Sequence, residues 1–480
     1  MTAAINEKLL EERLGGLETA HAWSPRVISR LEALIRSGAD EDLFRINPIK
    51  FAADKGMVES EAIDLFLHAA AQGLFEMNWM LLCSLCGCIT ESFGSLNRVH
   101  DHHHCNLCQT DLDAKLDDYI AVTFTIAAQI RPIKFHRPDD LSPEDFCFAY
   151  SFAPEGKAPD GRIYHAFIRD ATLAVKYLEP GAVTRFELDV KPGTLIGWTL
   201  QSDAAFAFPV DARAAPREQT LRLQLRDGAC DPAGATIAPG KLVLEVESAM
   251  DRRVVLGVTL VPPGIDLHHR PPLAYDPFLS GSRLLTSQTF RKLFRSQVIE
   301  ATEGIGVRDL TLLFTDLKGS TELYERIGDL NAYSQVQRHF ERLLDVTVRH
   351  RGAVVKTIGD AIMAVFVAPA DAVGAAFEMR AEIERLNQAR PARDFILKIG
   401  IHRGPSIAVT LNDRLDYFGQ TVNIASRVEH LAEGDEICLT EEVYGSPEVA
   451  GLLASYATQR DQARLKGVQQ EVAVFRIRAA

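Results

Sequence analysis

Two aspartates stand at the ends of apolar, strand-like runs, and this arrangement constrains the fold of the last third of the chain. Asp316 follows the short run 310–314, and Asp360 lies inside the β-branched run 353–367, where Gly-Asp is typical of a tight hairpin. If the two strands are neighbours, the carboxylates converge and repel each other unless cations bridge them. Oxygen ligands beside phosphate favour Mg²⁺ or Mn²⁺, with two ions roughly 3.5 to 4 Å apart. The pattern therefore predicts a metal-dependent nucleotide site.

The residues after Asp316 offer a place for phosphate. Gly319, Ser320 and Thr321 open a predicted helix over 320–330. A carboxylate therefore stands beside a helix N-terminus, where backbone N–H groups can meet phosphate oxygens.

A later segment supplies donors that the two aspartates lack. Asn423 and Arg427 are four residues apart on a predicted helix over 421–433, so they share one face. Arginine offers a planar fork for phosphate oxygens, and asparagine offers a donor and an acceptor for a sugar. Lys356 and Asp416 form a second donor and acceptor pair, which matches the N1 and N6 edge of adenine and opposes the reversed polarity of guanine.

Residues 309–477, just over a third of the chain, resemble the catalytic domain of a class III nucleotidyl cyclase. The motifs that carry the resemblance are FTDLKGST, KTIGDAIMAVF, IGIHRGP, DYFGQTVNIASR and LKGVQQEVAVFRI. The resemblance implies a ferredoxin-like α+β domain and a role for each matched position. These implied roles are two Mg²⁺ or Mn²⁺ ions on Asp316, Asp360 and the backbone of Leu317, adenine selection by Lys356 and Asp416, ribose orientation by Asn423, and charge stabilisation by Arg427.

The resemblance also implies a reaction and an assembly. All six side-chain positions carry the residue types of an active adenylyl cyclase, which converts ATP to 3′,5′-cyclic AMP and pyrophosphate. In that family the metal-binding acids come from one subunit and the other four residues come from its partner. A chain that carries the full set is therefore expected to form a homodimer with two equivalent sites.

Length, charge and hydropathy limit the number of domains, the binding partners and the cellular location that we expect. The chain has 480 residues, enough for roughly three domains, and a net charge of -13, which argues against broad binding to nucleic acid or anionic membranes. No apolar run approaches the ~18 residues of a membrane helix, and the N-terminus lacks the apolar stretch of a signal peptide. We expect a cytoplasmic protein without a membrane partner.

Four cysteines have the spacing of a zinc ribbon, CxxC, 18 residues, CxxC, and they are Cys83, Cys86, Cys105 and Cys108. Each CxxC turn can direct two thiolates at one tetrahedral ion, so we predict one structural Zn²⁺ per chain in a ribbon over 81–117. The alternative is four reduced cysteines without metal. Cys88 or a histidine of 100–104 could replace one ligand, and the sequence leaves this open.

The segment 1–80 is helical in pattern and similar to a helix-turn-helix, with a turn at Gly56 and a second helix from Ser60 or Glu61. The second helix carries Glu59, Glu61 and Asp64, which would repel phosphate. We therefore favour a protein-interaction or packing module over DNA binding.

Between 118 and 275 the hydrophobic period becomes two, which predicts short strands of an antiparallel β-sandwich. The predicted strands include YIAVTFTI, IYHAFI, TRFELDV, TLRLQLRD, KLVLEVES and RRVVLGVTLV. A helical connector over 276–306 then leads into the catalytic domain at 307–480.

The whole chain is thus predicted to be a multidomain α+β protein. Its front half resembles the sensory region of some bacterial cyclases, although neither the regulatory ligand nor a protein partner can be named from it. Two alternatives remain open. One is an ATP-sensing regulator with little turnover and output through the N-terminal modules, and the other is a zinc-ribbon nucleic-acid protein with an appended enzyme.

Overall fold

The computed structural model describes most of the chain, in two compact units. The described residues are 4–94, 102–105, 107–108, 110–113, 119–158, 161–199, 202, 204–264, 273–295, 304–319, 322, 325–326, 328–388, 395–411, 414–468 and 470–478. Among them, the first unit ends at Leu279 and the second begins at Ser280. None of the helices in these ranges is long and apolar enough to cross a membrane. The predicted division into five domains is finer than these two units and stays a prediction.

The first unit opens with helices, as predicted. They are α1 Glu7–Ala20, α2 Val27–Ser37, α3 Pro48–Lys55 and α4 Glu59–Ala71. Asn47 caps α3 by accepting the N–H of Ile49, and Pro48 follows at the first helical position, where its missing N–H costs nothing. Gly56 ends α3 in the left-handed region, at φ 57°, which glycine adopts without steric cost.

A three-stranded antiparallel sheet follows the helices. The next elements are β1 Phe75–Leu82, β2 Ile89–Phe93, β3 His102–Cys105, β4 Thr110–Asp113, β5 Ile120–Ile126, α5 Pro143–Ser151 and β6 Gly156–Lys157. The strand order is β2-β1-β5, and β3 and β4 form a separate hairpin. The strand predicted over 119–126 exists, but its assignment to the sandwich is wrong. It pairs with β1 from Leu81 opposite Ile120 to Phe75 opposite Ile126, because two long apolar strands bury more surface together.

The rest of the first unit is a sandwich of two four-stranded sheets. Its elements are α6 Tyr164–Ala171, β7 Thr172–Leu178, β8 Val183–Val190, β9 Gly193–Thr199, β10 Ala205–Val210, β11 Gln219–Arg226, β12 Ala229–Asp231, β13 Gly240–Ser248, β14 Val254–Val261 and β15 Ala274–Tyr275. The sheets run β10-β9-β14-β7 and β12-β11-β13-β8 and share one apolar core. The expectation of purely antiparallel pairing is wrong at one place, since β11 and β13 are parallel.

The run IYHAFI is not a strand. All of it except Ile163 belongs to α6, and the buried residues Tyr164 and Ile168 are four positions apart, which is the spacing of one helical face. Aromatic and β-branched residues favour strands on average, but here the packing of that face overrides the preference.

The second unit is built on one large sheet. Its elements are α7 Gly281–Leu285, α8 Gln288–Leu293, β16 Ile305–Leu317, α9 Asp329–Arg349, β17 Ala353–Ile358, β18 Ala361–Phe366, α10 Pro369–Gln388, β19 Leu397–Leu411, β20 Arg414–Phe418, α11 Gln420–Leu431, β21 Ile437–Thr440, α12 Glu441–Tyr444, α13 Pro447–Leu453, β22 Thr458–Ala463 and β23 Val472–Ile477. The strand order β17-β18-β16-β19 with α9 and α10 as crossovers has the β-α-β-β-α-β topology of a ferredoxin-like unit. The sheet continues through β21, β23 and β22, and β20 pairs with β19.

The predicted connector over 276–306 is helical only in α7 and α8, whereas 276–279 have no regular structure and 305–306 already belong to β16. Both helices pack on the second unit: Arg291 donates to the carbonyl of Leu415, and Gln288 accepts the N–H of Val354. The segment 296–303 lies outside the described residues. So do five of the eleven residues of the helix predicted over 320–330, namely 320, 321, 323, 324 and 327.

Candidate functional site

The two predicted metal-binding aspartates lie at the same end of neighbouring strands. Asp316 is near the end of β16, and Asp360 lies in the turn between β17 and β18. Because Thr315 is opposite Ile362, the antiparallel register brings both acids to one end of the sheet. Gly359 makes this turn possible with φ 64°, as the Gly-Asp pair predicts. The Oδ2 atom of Asp360 is buried, and it has no hydrogen-bond partner in the described part of the chain.

An unpaired buried carboxylate oxygen is costly, and a cation bound to it would offset that cost. Carboxylates are the oxygen ligands that Mg²⁺ and Mn²⁺ prefer. The residues therefore fit a divalent metal on chemical grounds.

Sequence reasoning missed a second charge pair beside Asp316. The Nζ atom of Lys398, on β19, is 3.4 Å from Oδ2 of Asp316 and 2.8 Å from Oε1 of Glu429, on α11. Glu429 is only 4% exposed, and burial raises its pKa. Burial alone would lower the pKa of Lys398, but its hydrogen bond to Glu429 and the negative charges of Glu429 and Asp316 together outweigh this, and the pKa is raised. Lys398 thus stays charged and links the acid end of the sheet to α11.

The predicted base-reading pair is preassembled. Lys356 Nζ is 2.5 Å from Asp416 Oδ2, and Oδ1 of the same aspartate accepts the N–H of Tyr417 at 2.8 Å. Asp416 is buried, whereas Lys356 is half-buried. The register of β17 against β18 shifts between Val354 and Lys356, so a β-bulge sets the direction of the lysine.

Asn423 and Arg427 lie on α11, four residues apart, as the sequence predicts. Asn423 is exposed and Arg427 is half-buried. The Arg427 guanidinium lies beside Gly467, where an added Cβ would be 3.4 Å from Nη1. Neither side chain forms a hydrogen bond or ion pair with Asp316 or Asp360 in the described residues of this chain. One chain therefore brings together the acids, and separately the lysine and aspartate, but does not join them to the Asn-Arg pair.

A wide cleft of about 1480 Å³ lies next to the start of α11. Its lining includes Gly404, Phe418, Thr421, Gly467 and Val472. Phe418 is opposite Ile407 in the β19–β20 pair, and the two side chains are 65% and 42% exposed. Exposed apolar side chains of this size beside a cleft are typical of a surface that another molecule covers.

The four predicted zinc ligands form a compact cluster in the first unit. The four sulfur atoms all lie within 4.8 Å of one another, with Cys83 to Cys108 at 3.9 Å and Cys86 to Cys105 at 3.5 Å. A disulfide needs about 2.05 Å between sulfurs, so these contacts are not disulfides. Four sulfurs at about 2.3 Å from a tetrahedral ion would be about 3.8 Å apart. The cluster has the dimensions of a tetrahedral metal site.

The environment of the cluster is apolar. Residues of β9, β14, α5 and α6 pack around it, and Trp198 is fully buried in the same core. In the absence of a cation, a hydrogen bond from Cys108 lowers the pKa of Cys105, while burial raises the pKa of Cys86. A bound cation would instead favour four thiolates.

The two residues left open as alternative ligands behave differently. Cys88 is buried beside the cluster but lies outside the group of four sulfurs. The Nδ1 atom of His104 is 2.8 Å from a carboxylate oxygen of Asp111, so this ring is engaged elsewhere. His100 and the side chains of His102 and His103 lie outside the described structure.

The chain is similar to several known proteins over its last third. It is 31% identical over 131 residues to Adenylate cyclase 2 of Rhizobium meliloti, covering 25% of this chain and 36% of that protein. It is 29% identical over 181 residues to a pH-sensitive adenylate cyclase of Mycobacterium tuberculosis, covering 36% and 41%. The chain thus spans well under half the length of these curated relatives.

Solved cyclase domains of both specificities are among the similar structures. The adenylyl cyclase CyaB from P. aeruginosa is 22% identical with a TM-score of 0.34, and the alignment covers 37% of this chain and 97% of that one. The guanylate cyclase domain of RhGC from Catenaria anguillulae is 23% identical with a TM-score of 0.32, covering 36% and 98%.

Two family descriptions divide the chain between them. Residues 13–292 match the family of unknown function DUF5939, and residues 305–479 match the adenylate and guanylate cyclase catalytic domain. The second match confirms the resemblance inferred from the motifs. The chain therefore belongs to the DUF5939 family and carries a class III nucleotidyl cyclase catalytic domain at its C-terminal end.

Proposed function

We propose that this protein is an adenylyl cyclase that converts ATP to 3′,5′-cyclic AMP and pyrophosphate. The observation that carries the choice of ATP is the ion pair between Lys356 and Asp416, at 2.5 Å. The adenine edge presents N1 as an acceptor and N6 as a donor, so it accepts from the lysine and donates to the aspartate. Guanine would set a donor against the ammonium and an acceptor against the carboxylate. Such a mismatch leaves buried polar groups unpaired and gives strong discrimination.

The acids at the end of the sheet are the proposed metal ligands. Asp316, Asp360 and the backbone of Leu317 would hold two Mg²⁺ or Mn²⁺ ions, and the orphaned Oδ2 of Asp360 supports this. When bound there, such ions lower the pKa of the ribose 3′-hydroxyl and neutralise the triphosphate. Lys398 balances the charge of Asp316 when the acids are without metal.

The Asn-Arg pair is proposed to act on the sugar and the reacting phosphate. Asn423 would orient the ribose so that its 3′-oxygen faces the α-phosphorus, because attack requires the reacting atoms at near-contact distance. Arg427 would stabilise the charge that develops on the phosphate oxygens as the bond to pyrophosphate breaks. The hydroxyl oxygen forms the new bond to phosphorus, its proton leaves, and pyrophosphate departs.

The site is proposed to be completed by a second copy of this chain. Within one chain the acids and the Asn-Arg pair make no contact among the described residues, and both are needed at one nucleotide. The exposed apolar side chains of Ile358, Ile407, Leu411 and Phe418 offer an interface, since a monomer gains nothing from exposing them. A twofold dimer would then have two equivalent sites.

The test is turnover of ATP and GTP by the full chain with Mg²⁺ or Mn²⁺. We expect cyclic AMP from ATP and little cyclic GMP. Asp316→Ala and Asp360→Ala should abolish turnover and leave the fold intact. The control Asp345→Asn, at an exposed position of α9, should keep both its turnover and its fold. Substantial turnover in either alanine variant would reject the site, and ATP binding without turnover in the wild type would favour an ATP-sensing regulator. Equal kcat/KM for ATP and GTP would reject the role of Lys356 and Asp416.

We also propose that Cys83, Cys86, Cys105 and Cys108 hold one Zn²⁺ with a structural role. Four thiolates close the tetrahedral coordination sphere and leave no open position for catalysis. The cluster lies in an apolar core, so the metal would order the turn between β1 and β2 and the β3–β4 hairpin, which carry the four cysteines.

A further inference from the structure

A cavity in the DUF5939 region is separate from every site described above. It has a volume of about 480 Å³ and lies between the end of α2, the segment 44–47, α3 and the pair Pro154 and Glu155. All of these residues belong to the first unit. Small-molecule sites are typically cavities of about 300 to 1,000 Å³, so this one is large enough for a metabolite.

Arg45 places a cation in this cavity without a matching anion. Its guanidinium lies 5.0 Å from the ring centroid of Phe44 and 5.1 Å from that of Tyr150, and it donates one hydrogen bond, from Nη1 to the carbonyl of Ala149 at 2.9 Å. Among the described residues, no carboxylate oxygen lies within 4.0 Å of it. Burial lowers the pKa of Arg45 to about 10, and the charges of Tyr150 and Glu155 offset this only in part.

The backbone of Arg45 is also strained. Its φ is 53°, in the left-handed region that a residue with a side chain rarely adopts, and its N–H donates to Oγ1 of Thr125 at 3.1 Å. Strained backbone of this kind persists where the surroundings fix it, often at ligand sites. Arg45 is thus held at the cavity wall in a backbone conformation that costs stability.

Glu155 places a carboxyl group in the same cavity without a matching cation. It is 6% exposed, and its Oε1 accepts a hydrogen bond from Nδ2 of Asn47 at 3.2 Å. No cationic nitrogen of the described residues lies within 4.0 Å of it, and burial raises its pKa. The Arg45 guanidinium and the Glu155 carboxyl therefore line one cavity as opposite charges that do not pair with each other.

We propose that this cavity binds a small zwitterion of the α-amino acid class. The ligand's carboxylate would accept the remaining donors of Arg45, and its ammonium would donate to Glu155. Glu155 is buried and Arg45 is half-buried, so charge-assisted hydrogen bonds to them are strong and an uncharged ligand would leave them unsatisfied. Leu34, Phe44 and Phe51 provide apolar wall for the ligand's side chain.

The floor of the cavity is bonded to the last residues of the first unit. Nδ2 of Asn47 donates to the carbonyl of Pro277 at 2.9 Å, and the N–H of Asp276 donates to the carbonyl of Glu155 at 2.9 Å. Lys157 adds an ion pair to Asp276 at 2.5 Å. A ligand that draws Glu155 away from Asn47 would alter the hydrogen bonds that these two residues form with Pro277 and Asp276. Since the chain continues at Ser280 into the second unit, we expect ligand binding to change cyclase turnover, and this part rests on the proposed function.

The experiment measures binding to the full-length chain first. Each of the twenty common α-amino acids is tested by thermal shift, and those that raise the Tm are titrated by calorimetry. Each binder is compared with its 2-oxo acid, which lacks the ammonium, and its decarboxylated amine, which lacks the carboxylate. We expect at least one amino acid to bind and both analogues to bind roughly tenfold more weakly or worse.

Variants then assign the contacts. Arg45→Met and Glu155→Gln should each weaken binding by roughly tenfold or more, since each removes one charge partner. The matched control is Arg253→Met, whose guanidinium lies 4.3 Å from the Tyr177 ring in the same unit but away from the cavity, and it should bind normally. If a variant does not fold, hydrogen exchange of the wild type decides, with ligand-dependent protection expected in 273–279.

The outcomes separate the two proposals. The site is overturned if no amino acid binds, if a 2-oxo acid binds equally well, or if Arg45→Met binds normally. An amino acid that binds through both charges without changing cyclic AMP production supports the site and overturns the expected effect of binding on cyclase turnover. Binding of this kind by a protein without cyclase turnover supports the site and rejects the proposed function instead.

Discussion

Burial of His339 predicts how much the free energy of unfolding falls at acidic pH. This residue of α9 is fully buried in the second unit, and neither ring nitrogen has a hydrogen-bond partner in the described residues. Its ring stacks on Phe395, with centroids 5.7 Å apart and an interplanar angle of 13°. Because protonation would place an unpaired charge in an apolar core, burial lowers the pKa of His339 to about 4 from the ordinary 6.5.

The sign of the effect follows from proton binding in each state. Below pH 6.5 the unfolded chain takes up a proton at this position, and the folded chain does so only below about pH 4. The unfolded state therefore binds more protons between these values, so the free energy of unfolding falls as the pH falls. At 1.36 kcal/mol per pH unit, the loss is about 2 kcal/mol at pH 5 and about 3 kcal/mol when complete. Above pH 6.5 His339 contributes no pH dependence.

His339→Leu should remove this acid-side loss. The assay is urea unfolding of the full chain between pH 5 and 7, followed by far-UV circular dichroism. All three tryptophans, Trp23, Trp79 and Trp198, belong to the first unit, so their fluorescence identifies that unit's transition and leaves the second unit's transition to circular dichroism. The variant should lose about 2 kcal/mol less than the wild type between pH 7 and pH 5.

The control is His430→Leu, because the His430 side chain is 72% exposed. That variant should follow the wild-type pH curve. Parallel curves for His339→Leu and the wild type would refute the reasoning, since they would mean that His339 takes up its proton equally in both states.

Three further predictions concern other parts of the molecule. Mixing inactive Asp316→Ala and Arg427→Ala protomers should restore turnover at one site per heterodimer, and no recovery despite confirmed subunit exchange would contradict a shared site. Purified protein should contain about one zinc per chain. Chelation should change the fluorescence of Trp198, which shares a core with the four cysteines. Zinc-free protein with an unchanged Tm would reject the metal site. Lys398→Met should lower the free energy of unfolding by about 3 kcal/mol because Glu429 is left buried without this cation. Adding Glu429→Leu should recover most of that loss. Additive losses in the double variant would contradict the pairing.

Local pattern was sufficient for much of the candidate site. The strand before Asp316, the hairpin around Asp360 and the helix that carries Asn423 and Arg427 depend on residues close in sequence, and all three elements are present. The four-cysteine cluster was likewise predictable because CxxC turns fix two sulfurs each.

Features that depend on contacts between distant segments were not predictable. Lys398 and Glu429 are 31 residues apart and meet because α11 packs on β19, and their types alone indicate solvated surface charges. The bulge before Lys356 depends on the register of a strand pair, which the sequence pattern does not determine. The residue types of 163–168 favour a strand, whereas the helix that forms there is selected by the packing of its buried face.

Gly400 limits how the proposed cyclase activity could be regulated. A Cβ at this position would lie 2.1 Å from the backbone nitrogen of Glu429, so α11 and β19 are in direct backbone contact and have no room to slide. Asn423 and Arg427 therefore move with the sheet as one rigid piece. In a site shared by two chains, the quantity left for a regulatory signal to adjust is the distance between the rigid halves. Regulation would then act by rigid-body movement of the two halves and not by rearrangement of individual side chains within one half.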